Sequence, residues 1–168
     1  MKKTLALILA AMFILFAFAA CGGETDEKDK TTKAGDTTAA AVQGTKIETA
    51  KFSMVVPDGW EKMDVDGGYQ LYKMSGEIVE VHFRGFNQGE THAKLQVEGQ
   101  AKSFSGSEAK EIDLLGKKFW NTTYTANGVK QVFNACIEDG VMISVKYGGP
   151  NLDTNPDYMK IVNSVVWK

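Results

Sequence analysis

The chain has 168 residues, 43% of them hydrophobic and 24% charged, with 19 basic and 21 acidic side chains and a net charge of −2. That apolar content suits one ordinary globular domain and is too high for a wholly disordered chain. Outside the first few residues there is no basic block, which argues against the basic stripe that a nucleic-acid partner requires.

Residues 1–20 read as an export leader. Lys2 and Lys3 are followed by an uncharged, mainly apolar run from Thr4 to Ala20, ending in Phe18-Ala19-Ala20-Cys21-Gly22-Gly23. Small residues before a cut site are what a signal peptidase accommodates. A cysteine directly after them, followed by glycines and a polar stretch, resembles the bacterial lipoprotein signal. That resemblance implies cleavage before Cys21 and a diacylglyceryl group on its sulfur. Phe18 stands where Leu is usual. An uncleaved membrane helix is the competing reading, but the run only reaches the low end of the ~17–25 residues that a span needs. The expected location is therefore the extracytoplasmic face of the cell membrane, held by lipid on Cys21. Once residues 1–20 are gone, 17 basic residues face 21 acidic ones, a net charge of −4. With Cys21 committed to lipid, Cys136 has no intramolecular partner, and a disulfide framework is excluded.

Residues 21–45 comprise the lipidated cysteine and a linker rich in Thr, Ala, Gly, Lys and Asp with no aromatic residue. Such a segment cannot bury enough apolar surface to offset its ordering entropy, so disorder is expected. Its reach is roughly 25 Å. Residues 46–168 are expected to form a single domain.

Within that domain, Lys51 to Val56 alternates as a strand and stops at the turn Pro57-Asp58-Gly59. A second strand spans Tyr69 to Met74. A third spans Ile78 to Phe86, with Val79, Val81 and Phe83 on one side and Glu80, His82 and Arg84 on the other. Ala93, Val97, Ala101 and Phe104 recur at helical spacing, and Gly106 supplies a stop. Three strands follow, Lys118 to Thr125, Val129 to Glu138 and Val141 to Tyr147. They are joined by Asn127-Gly128 and Asp139-Gly140, both strong hairpin signals. A short extra strand fits Lys110 to Leu115. The last helix has Asn155 as N-cap, Pro156 at its first position and Asp157 in its first turn. Tyr158, Ile161, Val162 and Val165 form its apolar stripe, widened by Met159 and Val166.

Phe52-Ser53-Met54-Val55-Val56-Pro57-Asp58-Gly59-Trp60 resembles the opening of PsbP-like and Mog-type (DcrB-like) domains, in which the first strand ends in Pro-x-Gly-Trp. The Leu114-Leu115-Gly116-Lys117-Lys118 entry into the meander and a closing amphipathic helix ending Val165-Val166-Trp167-Lys168 are also similar. The likeness covers about residues 46–168. It implies an α+β fold, an antiparallel sheet with helices on both faces in the order β-β-β-α-β-β-β-α. It carries scaffold and binding behaviour and no catalytic motif, and a shared fold is not a shared function.

The candidate chemistry is sparse. His82 and His92 are the only histidines and fall short of a metal ligand set. Cys136 sits mid-strand and reads as a buried thiol. Ser75, Ser105 and Ser107 lack a nucleophile-elbow context, and the paired glycines form no phosphate loop. Trp60 after its turn reads as a core lid. No metal, cofactor or nucleic acid is expected. Two function classes remain: a non-catalytic binding or assembly module for an envelope protein or polymer, and an envelope hydrolase with a dispersed active site. Few general acids or bases are available to assemble, which favours the first. The expected binding residues are Glu80, His82 and Arg84, with Trp120 and Tyr124 as aromatic walls of a polar groove. Which side of the sheet Trp120 and Tyr124 occupy is open at this stage. The clean faces expected to pack under the last helix are Val79, Val81 and Phe83; Phe133, Ala135 and Ile137; and Val141, Ile143 and Val145.

Overall fold

Three two-residue turns organise the centre of the molecule. In a computed structural model, which describes residues 42–85, 89 and 91–168, Asn127–Gly128 and Asp139–Gly140 have positive φ at both positions (53° and 76°, 50° and 74°). That left-handed pair is the turn whose twist matches antiparallel strands. Leu115–Gly116 adopts the same form (53° and 77°). These turns join β6 (Lys110–Leu114), β7 (Lys117–Ala126), β8 (Val129–Glu138) and β9 (Val141–Gly148) into a meander. The leader 1–20, Cys21, the linker up to residue 41, and Phe86 lie outside the described residues.

The meander is the larger part of a seven-stranded antiparallel sheet. β3 (Glu61–Val65), β4 (Gly68–Tyr72) and β5 (Ile78–Arg84) complete it in the order β3-β4-β5-β9-β8-β7-β6. A second sheet of three strands, β1 (Gly44–Glu48), β2 (Phe52–Pro57) and β10 (Val166–Trp167), has the order β1-β2-β10. One helix, α1 (Thr91–Ser103), packs on β7 and β8; the other, α2 (Asp157–Asn163), packs against β2, β5 and β9. The fold is thus a mixed α+β one with antiparallel sheets and two helices. Its order departs from the expected one by four strands: β6, where the short extra strand fits at Lys110 to Leu115, and the unexpected β1, β3 and β10.

Each unexpected strand has a physical reason. β1 and β3 are edge strands carrying Lys46, Glu48, Glu61, Lys62 and Asp64, largely exposed. Charge on an edge is compatible with pairing on the other side and blocks further pairing, so such strands show no apolar alternation. β1 also begins at Gly44, inside the stretch expected to be linker. The chain reverses into β2 at Thr49, whose hydroxyl accepts the Lys51 and Phe52 amides at 3.1 and 3.0 Å. β10 is a correction: the apolar pair Val165-Val166 reads as a continuing helix, but α2 ends at Asn163. Ser164 Oγ donates to the Ile161 carbonyl at 2.7 Å and accepts the Val55 amide at 2.9 Å. The chain then pairs with β2, Val166 opposite Ser53 and Trp167 opposite Phe52. Met159 and Val166, expected to widen the stripe, are 39% and 60% exposed. The start of α2 falls one residue later than expected, with Pro156 at the N-cap and Asp157 the first helical residue, and Asn155 Oδ1 accepts the Asp157 amide at 3.0 Å from just outside the helix.

The main core lies between the large sheet and the layer made by α2 and the small sheet. It contains Phe52, Met54, Trp60, Leu71, Val79, Val81, Phe119, Cys136, Ile143, Val145, Tyr158, Ile161 and Val162, all buried. Trp60 is part of this core, its ring 6.1 Å from Tyr158 in an edge-on arrangement. A smaller core under α1 holds Ala93, Val97 and Ala135, with Trp120, Phe133, Ile137 and Met142 half-buried around it. This corrects one expected face. Residues paired across strands share a face, and Cys136, not Ala135, pairs with Ile143. Phe133, Ala135 and Ile137 therefore point toward α1 and away from α2. The helical stop is also displaced by one residue: Ser105 takes the left-handed position (φ 49°) and the Gly106 amide reaches back to Ala101 at 2.7 Å. Gly106 is needed for close approach, since a Cβ there would sit 2.9 Å from the Thr123 carbonyl oxygen.

Cys136 is 6% exposed, and burial, aided by Glu138 and opposed by Lys117, pushes its thiol up to about 12. The thiolate is the reactive form. A maleimide is therefore expected to label Cys136 slowly in native protein and quickly in denaturant. Equal rates in the two conditions would show an open, activated cysteine instead.

Candidate functional site

Glu80, His82 and Arg84 alternate along β5 and so share one face of the large sheet. Strand register extends that face. His82 pairs with Ser144, Ser144 with Ala135, and Ala135 with Trp120. Glu80 pairs with Lys146, and Lys146 with Phe133. Ile78 pairs with Gly148, Gly148 with Gln131, and Gln131 with Tyr124. All five expected residues therefore stand on the side that carries α1, and the open question of the side of Trp120 and Tyr124 is answered.

They do not form one groove. Trp120 lies three strands from His82, about 14 Å at the usual interstrand spacing. α1 covers both aromatic residues. Lys94 Nζ sits 4.8 Å from the centre of the Trp120 ring. Tyr124 is 4% exposed and stacks on Phe104 at 5.2 Å. Its hydroxyl donates to Gln131 Oε1 and accepts from Gln100 Nε2, both at 3.0 Å. Burial raises the Tyr124 hydroxyl above its ordinary value, partly offset by Gln100. The aromatic pair is thus occupied as the seat of the helix. The alternation along β7 made their shared face legible, but not the helix above it.

On β5 the three polar side chains form a connected line. Arg84 Nε donates to His82 Nδ1 at 2.9 Å. An acceptor Nδ1 leaves the proton on Nε2, the neutral tautomer. Glu80 Oε1 stands 2.7 Å from Nε2. Yet that nitrogen has no well-aligned partner among the described residues, so the contact is a close charge–dipole one rather than an in-line hydrogen bond. Burial pushes the Glu80 carboxyl up, but His82, Lys146 and Arg84 together outweigh it and hold the group below its usual value. His82 is 1% exposed, while Arg84 is exposed. A carboxylate, an imidazole and a guanidinium on alternate residues form a line that is buried at His82 in its middle, half-buried at Glu80 and open at Arg84.

Among the described residues no helix packs over β4 and β5 on this face. Gln70, Tyr72, Glu80 and Lys146 are half-buried there, while Met142 of β9 packs into the small core under α1. Several hollows lie elsewhere. One of about 480 Å³ is formed by the β7–β8 turn and residues 149–154, and Lys130 Nζ bonds Asp153 Oδ1 there at 2.6 Å. Another of about 110 Å³ lies near Lys51, Lys117, Trp167 and Lys168 on the opposite face. Among the described residues, no three histidine, cysteine or acidic side chains converge as a metal site would require. Asn121, the first residue of a glycosylation-like triplet, is buried, with its Nδ2 donating to Asn134 Oδ1 at 2.7 Å. No helix among the described residues is long and apolar enough to cross a membrane.

No protein-family model matches the chain, and no curated protein matches it by sequence. Solved structures do. The solution structure of cyanobacterial PsbP (CyanoP) from Synechocystis sp. PCC 6803 aligns at a TM-score of 0.53 and 12% identity, over 82% of this chain and 98% of that one. A crystal structure from Bacteroides thetaiotaomicron VPI-5482 aligns at 0.51 and 13% identity, over 76% of this chain but 49% of that one, so this chain spans about half its length. LpqN of Mycobacterium tuberculosis, described as involved in cell envelope biogenesis, aligns at 0.44 and 15% identity, over 75% of this chain and 91% of that one. At such identities the likeness is one of fold, and the fold of this chain is the mixed α+β fold of PsbP-like proteins.

Proposed function

We propose that the chain is a lipid-anchored module on the extracytoplasmic face of the cell membrane, binding an envelope protein or polymer without catalysing a reaction on it. The observation that carries this reading is the open end of the β5 line. A charged residue projects from a half-buried sheet face, its stretch of β4 and β5 without a helix over it among the described residues, and its neighbours hold it in place. Binding surfaces combine partly buried, pre-positioned polar groups with an accessible surround. The leader and Cys21 support the location, and the membrane is the first partner, through lipid. The second is the envelope component.

A photo-crosslinking residue at Gln70, which pairs with Glu80, is expected to trap that component in intact cells. The same residue at Asn163, exposed on α2 beyond the opposite face, is the control. Equal trapping at the two positions, or none at Gln70, would remove this face as the site.

A further inference from the structure

We infer that Arg84 is a pre-set receptor for a carboxylate, and that the partner docks an acidic peptide segment on it with His82 as the positioning residue. This rests on the binding reading above and names the chemistry it would recognise. A guanidinium presents five N–H donors in a rigid plane. In this chain one of them, on Nε, is already committed to His82 Nδ1 at 2.9 Å. The donors on the two terminal nitrogens, which make no hydrogen bond among the described residues, form the end-on fork of the guanidinium. That fork matches the two oxygens of a carboxylate.

His82 does more than fill space. It is 1% exposed and its Nδ1 can accept only in the tautomer that Glu80 favours, with Oε1 2.7 Å from Nε2. The acceptor is therefore fixed by the interior of the domain, and Arg84 inherits that fixity. A long side chain normally loses rotamer freedom when it binds, and an arginine held at Nε has less to lose. An exposed arginine that merely solubilised the surface would have no need of a buried acceptor.

Charge selects the class of anion. On this face Glu80 stands opposite Lys146, Glu61 accepts the Tyr72 hydroxyl at 2.7 Å, and Arg84 is the positive charge with no acidic partner within salt-bridge distance among the described residues. A single carboxylate balances it. A phosphate dianion would bring a second charge against Glu80. Met142 stands opposite Arg84 on β9 and is half-buried, so the step beside the fork is apolar. An acidic residue flanked by an apolar one fits that pair, which favours a peptide over a polyanionic polymer.

The test uses the full mature lipoprotein in neutral detergent and a labelled peptide of alternating Glu and Val, against the same peptide with Gln for Glu. At low salt the Glu peptide is expected to bind at least about tenfold tighter. Arg84→Lys keeps the charge and loses the fork, and is expected to weaken binding about fivefold. His82→Phe should weaken it comparably with Arg84 intact. His82→Asn, which returns an acceptor near the place of Nδ1, should recover most of the loss, a recovery that a merely structural role would not produce. Acetate should compete better than inorganic phosphate at equal concentration. Folding is checked by circular dichroism, and Arg84→Lys, at an exposed position, keeps the test decisive if the His82 variants misfold. Equal binding by wild type and Arg84→Lys, equal binding of the two peptides, or stronger competition by phosphate would overturn the assignment. If crosslinking at Gln70 persists in that case, the face still binds a partner and only its chemistry has been misread; if both fail, the binding reading fails with it.

Discussion

Replacing Cys21 with alanine is expected to move the processed protein from the membrane fraction to the soluble fraction and to abolish its labelling by radioactive fatty acid. A single acyl chain gives marginal, reversible membrane binding, and two or more give stable anchoring. On the proposed reading the Cys21 thiol carries the diacylglyceryl group, and among the described residues no helix is long and apolar enough to cross a membrane. Without residues 1–20 the chain is net acidic, whereas anionic lipid attracts basic segments. The measurement is fractionation after a high-salt wash, with mass spectrometry to confirm that the leader is gone. A cleaved Cys21→Ala protein that stays with the membranes would show an anchor other than lipid.

Phe52→Ala is expected to cost about 3–5 kcal/mol of folding stability, the range for truncating a fully buried phenylalanine. Phe52 is 0% exposed and lies where the two sheets meet. Its ring stacks on Phe83 at 5.7 Å, nearly parallel, and takes the edges of Tyr69 at 5.9 Å and Trp167 at 6.3 Å. Trp167 in turn donates its indole N–H to the Leu115 carbonyl at 3.0 Å, tying the last strand to the left-handed turn that opens the meander. Removing the Phe52 ring leaves a cavity whose walls belong to β4, β5 and β10, elements far apart in sequence that cannot collapse together without shifting two sheets. Denaturant unfolding measures the loss. A change below about 1 kcal/mol, within the range of an ordinary surface substitution, would mean that the small sheet is not seated on the large one through this ring.

Several features were legible in the residues themselves because they depend on local chemistry. Asn-Gly and Asp-Gly dictate hairpins since few residues tolerate paired left-handed φ values, and both turns occur as read. Asn155 before Pro156 marks a helix start to within one residue, and its side chain accepts the amide of the first helical residue, Asp157. Alternation along β5 put Glu80, His82 and Arg84 on one face and Val79 and Val81 in the core. By the same logic Trp120 and Tyr124 had to share a face with each other. What alternation cannot tell is which face of one strand meets which face of the next, because that is set by cross-strand register. Phe133, Ala135 and Ile137 are as apolar as a core face, yet register sends them toward α1. Edge strands such as β1 and β3 carry no periodic signal although they pair with the next strand in the chain, and the two-residue β10 takes its hydrogen bonds from β2, more than a hundred residues earlier. The Arg84–His82 clamp is intermediate: spacing makes it reachable, but only burial by the surrounding fold fixes the imidazole and so aims the guanidinium. Local backbone preference is written in a few consecutive residues, whereas facing, covering and desolvation belong to the whole packed chain.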